Sequence, residues 1–330
     1  MTSTILLIIL GLAMIIAGAN FLVVGSSRIA TRFGISDIVI GMTIVAIGTS
    51  APELVVSFLG AMKGSVGLSV GNILGSNICN ILLIIGLSSI IYPMTVSRIN
   101  VNRDMQFMLL STVVLILVSL DTQIETLTID DQMTGNVISR TEGIILLLFF
   151  LVFMFYSIAS AKRHENAAKD EEKEEEKPVV KKNFLLSLVM FLGGLAVLIW
   201  GGNILVDNAT VLARAQGVSD TLIGATIIAI GTSLPELAAS VMAACRKKVG
   251  IAIGNVIGSN IFNVFLILGG CATVNPLPLA SVNHVHFIFL LLATLLLLVS
   301  ARTSFKIRRI EGLMLFALYI LYIIVTISLA

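Results

Sequence analysis

The chain has 330 residues, of which 57% are hydrophobic and 12% are charged, with a mean hydropathy of +1.04 and a formal net charge of +2. Soluble proteins carry about 25% charged residues, so this composition excludes an ordinary water-soluble domain. The small net charge and the lack of a basic patch interleaved with aromatic residues exclude a nucleic-acid-binding protein. The composition therefore predicts a polytopic membrane protein.

Apolar stretches of about 20 residues, the length that crosses a bilayer as a helix, recur along the chain. Five lie in the first half, at residues 5–24, 38–62, 68–91, 105–120 and 144–160. Five lie in the second half, at residues 184–206, 222–244, 251–274, 285–300 and 312–329. The first stretch is predicted to be a spanning helix, because neither a basic segment before it nor a small-residue cleavage site after it marks a removable signal.

A charged stretch at residues 161–183 separates the two sets of spans. It contains six acidic residues between positions 170 and 176 and almost no large apolar residue before Pro178. Such a segment cannot bury a core, so it is predicted to be a solvated linker. The chain therefore divides into a first five-helix half at residues 1–160, the linker, and a second five-helix half at residues 184–330.

A stretch of 60 residues occurs twice. Residues 34–93 align without a gap on residues 217–276 at an offset of 183, and 30 of the 60 paired positions are identical. Both copies carry a Gly-Thr-Ser-x-Pro-Glu motif followed by a Gly-Asn-x-x-Gly-Ser-Asn-Ile-x-Asn motif. Each copy embeds a carboxylate, a proline, hydroxyls and amides in an apolar sequence, which is the pattern of helices broken around a polar centre.

Glu53 and Glu236 occupy equivalent positions of the two copies, each within a predicted span. A lone ionised carboxylate at this depth costs about 2.5–3.5 kcal/mol on insertion scales. Because no Lys or Arg lies near the middle of a predicted span, a bound cation is the simplest counter-charge. Two carboxylates that face one point make an oxygen site for a hard cation such as Ca²⁺. Pro52 and Pro235 are expected to free backbone carbonyls one turn before each glutamate.

Further oxygen ligands are predicted beside each glutamate. The hydroxyls come from Thr49, Ser50, Thr232 and Ser233. The next helix of each copy carries polar residues that are mostly three or four positions apart, and these share one helix face. They are Asn72, Ser76, Asn77 and Asn80 in the first copy and Asn255, Ser259, Asn260 and Asn263 in the second.

The distribution of basic residues predicts the orientation in the membrane. Of the 21 Lys and Arg residues, all but Lys63, Arg140 and Arg214 lie in alternate loops that include the central linker. These loops are predicted to be cytoplasmic, with both termini outside. Because each half has an odd number of spans, the second half enters the membrane upside down. The predicted fold is an all-α membrane protein with ten transmembrane helices in two inverted five-helix repeats, whose broken helices meet at the midplane.

The two motifs resemble the α-repeats of the sodium/calcium exchanger family, within the cation/Ca²⁺ antiporter superfamily. The resemblance covers the whole predicted architecture and implies a prokaryotic-type member in which Ca²⁺ and Na⁺ compete for one cluster. Carried onto this chain, the Ca²⁺ ligands are the carboxylates of Glu53 and Glu236 and the carbonyls of Thr49 and Thr232. The flanking Na⁺ sites draw on three residues of each half, with two asparagines near the middle: Ala46, Ser50 and Ser76; Ala229, Ser233 and Ser259; and Asn80 and Asn263.

The resemblance also implies a mechanism. A secondary active antiporter of this family works by alternating access and exchanges about three Na⁺ for one Ca²⁺, which moves one net charge per cycle. Prokaryotic and potassium-dependent relatives often carry Asp where this chain has Asn263, so exchange without K⁺ is expected. The first and sixth spans resemble the family's sliding gate helices. The expected partners are the transported ions and the lipid bilayer of a prokaryotic plasma membrane, with no cofactor, catalytic residue, nucleic acid or obligate protein partner.

Three other functions fit the sequence less well than Na⁺/Ca²⁺ exchange. An H⁺/Ca²⁺ antiporter would protonate Glu53 and Glu236, but a proton does not need the hydroxyls and amides beside them. A cation channel is disfavoured because two antiparallel broken-helix pairs enclose a site instead of lining a coaxial pore. An intramembrane enzyme is disfavoured because the three His residues lie in loops or at the ends of spans, away from Ser50 and Ser233.

Overall fold

A computed structural model of the protein describes residues 2–64, 66–120, 136–171, 183–217, 229–279 and 282–329. These residues form helices, apart from two short two-stranded ribbons. The prediction of a helical fold is therefore confirmed for the described residues.

The described residues of each half form six helical elements. The first half contains α1 (Thr2–Arg32), α2 (Asp37–Thr49), α3 (Ala51–Met62), α4 (from Val66 to Ile91), α5 (Arg98–Ser119) and α6 (Arg140–Glu171). The second half contains α7 (Phe184–Ala215), α8 (Ala229–Thr232), α9 (Leu234–Cys245), α10 (Val249–Val274), α11 (Val285–Ser304) and α12 (Arg309–Leu329). Helices α2, α4 and α10 contain π-helical segments at Gly41–Val45, Cys79–Ile85 and Phe262–Leu268.

Eight described helices are long and apolar enough to cross a membrane, and the bent pair of α2 and α3 makes a ninth span. The bend is 48° and falls at Ser50, two residues before Pro52. This is where the proline was expected to break the helix, because it supplies no N–H to the preceding turn. The remaining predicted span, at residues 222–244, is the seventh along the chain. The structure describes it only as α8 and α9, since residues 218–228 lie outside the described ranges.

Several helices are longer than the sequence predicts. Helix α6 continues to Glu171 and so enters the predicted linker, because Ala, Lys and Glu favour a helix even where no core is buried. Residues 172–182 of that linker lie outside the described ranges. Helix α5 begins at Arg98, where the Ser97 hydroxyl accepts a hydrogen bond from the Asn100 N–H at 3.2 Å and caps the helix.

Helices α1 and α7 pack against each other through glycines. A Cβ atom on Gly18 would lie 2.7 Å from the carbonyl oxygen of Gly194, and one on Gly201 would lie 3.0 Å from the carbonyl oxygen of Gly11. The residue numbers rise along α1 as they fall along α7, so the two helices are antiparallel. Because glycine has no side chain, the two backbones approach closely. The offset of 183 that relates the repeats also relates these two contacts.

Helices α4 and α10 occupy the centre of the protein. Every residue of α10 from Ile251 to Ile261 is buried. A Cβ atom on Gly254 or Gly258 would collide with the backbone of α2 at Ile38 and Met42. The Gly-x-x-x-Gly spacing of α10 therefore lets α2 lie directly on it and brings the bend after α2 close to the centre.

The two ribbons join the halves of the chain. Strand β1 (Met94–Thr95) pairs with β4 (Lys306–Ile307), and β2 (Val137–Ile138) pairs with β3 (Leu277–Pro278), both in antiparallel register. Strands β1 and β3 follow α4 and α10, whereas β2 and β4 precede α6 and α12. Each ribbon therefore pairs the strand after the central helix of one half with the strand before the last helix of the other half, so the two ribbons are equivalent and the contacts between the halves are reciprocal.

Candidate cation-binding site

The two predicted glutamates lie at the start of equivalent helices in the interior. Glu53 follows Pro52 in the first turn of α3, and Glu236 follows Pro235 in the first turn of α9. Each side chain is only 1% exposed. Carboxylates are stabilised near a helix N-terminus, where backbone N–H groups carry partial positive charge. Each break therefore creates a helix N-terminus beside a glutamate. In an unbroken helix the same carboxylate would lie in mid-helix, without free N–H groups near it.

Each carboxylate is bonded by a serine of the opposite half. The Ser50 hydroxyl donates to Oε1 of Glu236 at 2.9 Å, and the Ser233 hydroxyl donates to Oε1 of Glu53 at 3.3 Å. The two serines are equivalent positions of the repeat, and so are the two glutamates. The bend after α2 and the bend after α8 therefore face each other, and both repeats contribute to one site.

The serines of the central helices lie beside the same hydroxyls. Ser50 Oγ lies 3.0 Å from Ser259 Oγ, and Ser233 Oγ lies 3.1 Å from Ser76 Oγ. These hydrogen bonds also cross between the halves. Two hydroxyl pairs thus flank the carboxylates, one made by Ser50 and Ser259 and the other by Ser233 and Ser76, and all four side chains are buried.

The threonines are fixed by asparagines of the opposite half. Thr49 Oγ1 donates to Oδ1 of Asn255 at 3.0 Å, and Thr232 Oγ1 donates to Oδ1 of Asn72 at 3.2 Å. The sequence offered these two asparagines as further ion ligands. Their amide oxygens already accept hydrogen bonds from the threonines, which suits a role in holding the bends in position.

Two serines of the site were missed by the sequence analysis. Ser57 Oγ accepts a hydrogen bond from Asn72 Nδ2, and Ser240 Oγ accepts one from Asn255 Nδ2, each at 3.0 Å. Both serines lie four residues after a glutamate, on the same helix face. Their shared offset of 183 is a signal that would have found them.

Asn80 and Asn263 lie in the π-helical segments of α4 and α10, and both are 1% exposed. Such π-helical segments are frequent at functional sites, because they redirect side chains and backbone groups. Asn263 Nδ2 donates to Oδ1 of Asn77 at 2.9 Å, and Asn77 Nδ2 donates to the Asn260 carbonyl at 3.3 Å. The amides therefore join α4 to α10 at the centre.

The two alanines proposed for the Na⁺ sites lie one turn before the serines. Ala46 begins the last α-helical turn of α2 and is buried, and its carbonyl accepts the Ser50 N–H at 3.0 Å. Ala229 is the first residue of α8. Ala229 in the second copy corresponds to Ala46 in the first.

Several buried oxygens of the site have no hydrogen-bond donor among the described residues. They are Glu53 Oε2, Glu236 Oε2, Asn80 Oδ1, Asn260 Oδ1 and Asn263 Oδ1. Buried acceptors in folded proteins are nearly always satisfied, and leaving one unpaired is costly. No Lys or Arg of the described ranges is buried. The chemistry of this donor set, two carboxylates with neutral oxygens, fits a hard cation such as Na⁺ or Ca²⁺.

Comparison with known families agrees with this chemistry. The family described as sodium/calcium exchanger protein matches residues 3–159 and 186–328. The sodium/calcium exchanger MaX1 of Methanosarcina acetivorans is 33% identical, with 98% of each chain covered. The putative antiporter CaxA of Alkalimonas amylolytica is 36% identical, with 96% of each chain covered. The inner membrane protein YrbG of Escherichia coli is 35% identical over 82% of this chain.

Solved structures match over almost the whole chain. A structure of the sodium-calcium exchanger NCX_Mj, soaked with Na⁺ and without Ca²⁺, has a TM-score of 0.80 and 34% sequence identity, with 97% of each chain covered. A second structure of NCX_Mj, soaked without either ion, also has a TM-score of 0.80, with 33% identity and 99% coverage of each chain. Sequence, fold and the chemistry of the buried oxygens lead to one conclusion: this multi-pass membrane protein belongs to the sodium/calcium exchanger family.

Proposed function

We propose that the protein exchanges Na⁺ for Ca²⁺ across the membrane by alternating access. Membership of the family and the likeness to NCX_Mj support cation/Ca²⁺ exchange. The observation that carries the finer proposal is the pair of buried carboxylates, Glu53 and Glu236, each bonded by a hydroxyl of the opposite half and each with a second oxygen unpaired among the described residues.

The proposed Ca²⁺ ligands are the carboxylates of Glu53 and Glu236 and the backbone carbonyls of Thr49 and Thr232. The threonine carbonyls lie at the two bends, where the proline three residues later interrupts regular helical bonding. Doubly charged Ca²⁺ takes oxygen ligands of both carboxylate and carbonyl type. Its charge balances the two carboxylates, neither of which forms an ion pair with a Lys or Arg of the described ranges.

We propose two flanking Na⁺ sites, each built from both halves. Since the serines pair across the halves, one site combines Ala46, Ser50 and Ser259 with Glu236. The other site combines Ala229, Ser233 and Ser76 with Glu53. Asn80 and Asn263 supply neutral amide oxygens near the middle. This arrangement refines the expectation that each Na⁺ site would draw its residues from a single half of the chain.

Exchange of three Na⁺ for one Ca²⁺ would move one net charge per cycle. Exchange in this ratio is electrogenic, and each 100 mV of membrane potential contributes about 2.3 kcal/mol per cycle. A neutral residue at position 263 leaves the site two carboxylates, which supports exchange that does not require K⁺. An empty site with two charges is costly to move through an apolar barrier, so loaded states are expected to exchange far faster than the empty state.

We propose the predicted architecture of ten helices in two inverted halves, residues 1–160 and 184–330, with residues 161–183 as a cytoplasmic linker and both termini outside. The reciprocal contacts support the inversion. Helices α1 and α7 are antiparallel, and the two ribbons make equivalent pairings between the halves. The excess of basic residues in alternate loops supports the orientation in a plasma membrane.

The decisive experiment is ⁴⁵Ca²⁺ uptake into proteoliposomes loaded with Na⁺, compared with vesicles loaded with K⁺ or choline or carrying only a pH gradient. Wild-type uptake is expected to require internal Na⁺, to proceed without K⁺, and to accelerate when valinomycin and K⁺ prevent charge build-up. Glu53→Gln and Glu236→Gln are expected to lose at least about 100-fold in rate, because removing one charged partner of a buried site costs about 3–5 kcal/mol.

Glu311→Gln is the matched control for these variants. Glu311 Oε2 accepts the Arg308 N–H at 2.6 Å at the exposed start of α12, and glutamine can replace it there. This variant is expected to transport like the wild type. Uptake driven equally by a pH gradient would assign H⁺ exchange instead, and uptake without any counter-ion would contradict antiport.

A further inference from the structure

A cavity of about 340 Å³ lies between α3 and α7 and leads to the candidate site. Its inner lining includes Thr232 and Pro235, which directly flank Ser233 and Glu236 in sequence. Its other walls are largely apolar, with Val55 and Val56 from α3 and Val206 from α7. The cavity therefore extends from the residues beside the carboxylates to the C-terminal half of α7. In the proposed orientation, that half of α7 runs towards the outer face.

Asp207 is the one charged residue among those that line the cavity, and Asn203 lies one helical turn before it on the same face of α7. Both side chains are exposed. The ion pairs within the described ranges are Arg103–Asp104 and Lys248–Asp37, so no described cation neutralises Asp207. A carboxylate and an amide oxygen are the ligand types that Na⁺ and Ca²⁺ accept.

The repeat has no equivalent carboxylate on the other side. The offset of 183 maps Asn203 onto Asn20 and Asp207 onto Val24. In α1, the Asn20 side chain accepts a hydrogen bond from Arg246 Nε at 2.7 Å, and α1 packs along α9. The equivalent positions of α1 and α7 therefore differ in charge, because α7 carries a carboxylate where α1 carries a valine.

We propose that Asp207, with Asn203, forms an outer waiting site at which cations are captured before they reach Glu53 and Glu236. Walls of low dielectric concentrate the field of a charge in a cleft and raise the local cation concentration. The Asp207 carboxylate thus increases capture of external Ca²⁺ and Na⁺, whereas ions that arrive from the inner face gain nothing from it. The inference rests on the proposed exchange function and orientation.

The test measures the two faces separately, in right-side-out and in inverted membrane vesicles. Cys245 is exposed at the end of α9, while Cys79 and Cys271 are buried, so an impermeant maleimide on Cys245 reports which face is outside. Initial rates of ⁴⁵Ca²⁺ uptake into Na⁺-loaded vesicles are recorded against Ca²⁺ concentration for wild type, Asp207→Asn and Asp207→Glu. Each series is run at low and at high ionic strength, adjusted with choline chloride.

We expect Asp207→Asn to raise KM for Ca²⁺ about threefold to tenfold at low ionic strength on the face opposite to Cys245, with an unchanged maximal rate. High ionic strength should narrow this difference, because salt screens an exposed charge. Asp207→Glu should restore the wild-type KM, and on the Cys245 face all three proteins should agree.

Three results would overturn the inference: an unchanged KM on both faces, an equal change on both faces, or a fall in the maximal rate alone. A failure of the proposed function looks different, since wild-type vesicles would then take up no Ca²⁺ in response to internal Na⁺. Active wild-type protein with an insensitive Asp207→Asn variant rejects the waiting site and leaves the exchange function intact.

Discussion

The contact between α1 and α7 makes a quantitative prediction for a single methyl group. A Cβ atom on Gly194 would lie 2.5 Å from the Leu22 nitrogen, 2.8 Å from the Gly18 oxygen and 3.0 Å from the Phe21 carbonyl carbon. Ordinary carbon contacts are about 3.5–4.0 Å. All three atoms belong to the backbone, so no side chain can rotate away, and the two helices must separate by roughly 1 Å.

Overpacking of this kind costs about 1–3 kcal/mol, and the rigid neighbours put Gly194→Ala near the upper end of that range. Separation also displaces α7, whose residues Asn203 and Val206 line the access cavity. We therefore expect Gly194→Ala to lower both the thermal stability of the purified protein in detergent and the rate of Na⁺-dependent Ca²⁺ uptake.

Gly193→Ala is the matched control, because it adds the same methyl group one residue away. Gly193 is exposed, and no described atom would lie within 4 Å of its Cβ. Alanine is a better helix former than glycine by about 1 kcal/mol, so this variant should be neutral or more stable. Equal melting temperatures and equal uptake rates for the two variants would refute the argument from close backbone approach.

Two further predictions concern the candidate site and the contact between α1 and α9. Ser50→Ala and Ser233→Ala each remove a hydrogen bond to a buried carboxylate, worth about 1.5–3 kcal/mol. The Na⁺ concentration for half-maximal Ca²⁺ exchange should therefore rise about tenfold or more, whereas Ser88→Ala, which removes a buried hydroxyl without a described partner, should leave it unchanged. Arg246→Ala removes the hydrogen bond to Asn20. Amide hydrogen exchange in α9 should therefore accelerate roughly twofold to tenfold. An unchanged exchange rate would contradict a role for this bond in holding α9 against α1.

The sequence was sufficient to predict the parts of the fold that depend on local pattern. The duplicated motifs identified the two glutamates, and Pro52 indicated the bend that the structure has at Ser50. The course of α6 into the linker was missed, because a charged composition excludes a core without excluding a helix.

The partners within the site could not be predicted, since spacing along a helix tells only which residues share a face. Ser50 contacts Glu236 and Ser259 instead of the glutamate and serine of its own repeat. This choice of partners depends on how the two halves pack. The same holds for Asn72 and Asn255, whose side-chain oxygens accept hydrogen bonds from the threonines of the opposite half.

The structure is asymmetric where the sequence is symmetric, and this difference bears on the transport cycle. Arg246 donates a hydrogen bond to Asn20 where α1 packs along α9, whereas Asn203, the residue equivalent to Asn20, lines a cavity between α3 and α7. The proposed alternating access requires a second conformation, and exchanging the roles of the two halves would supply one. In that conformation Lys63, which the offset of 183 relates to Arg246, would be the residue that contacts Asn203.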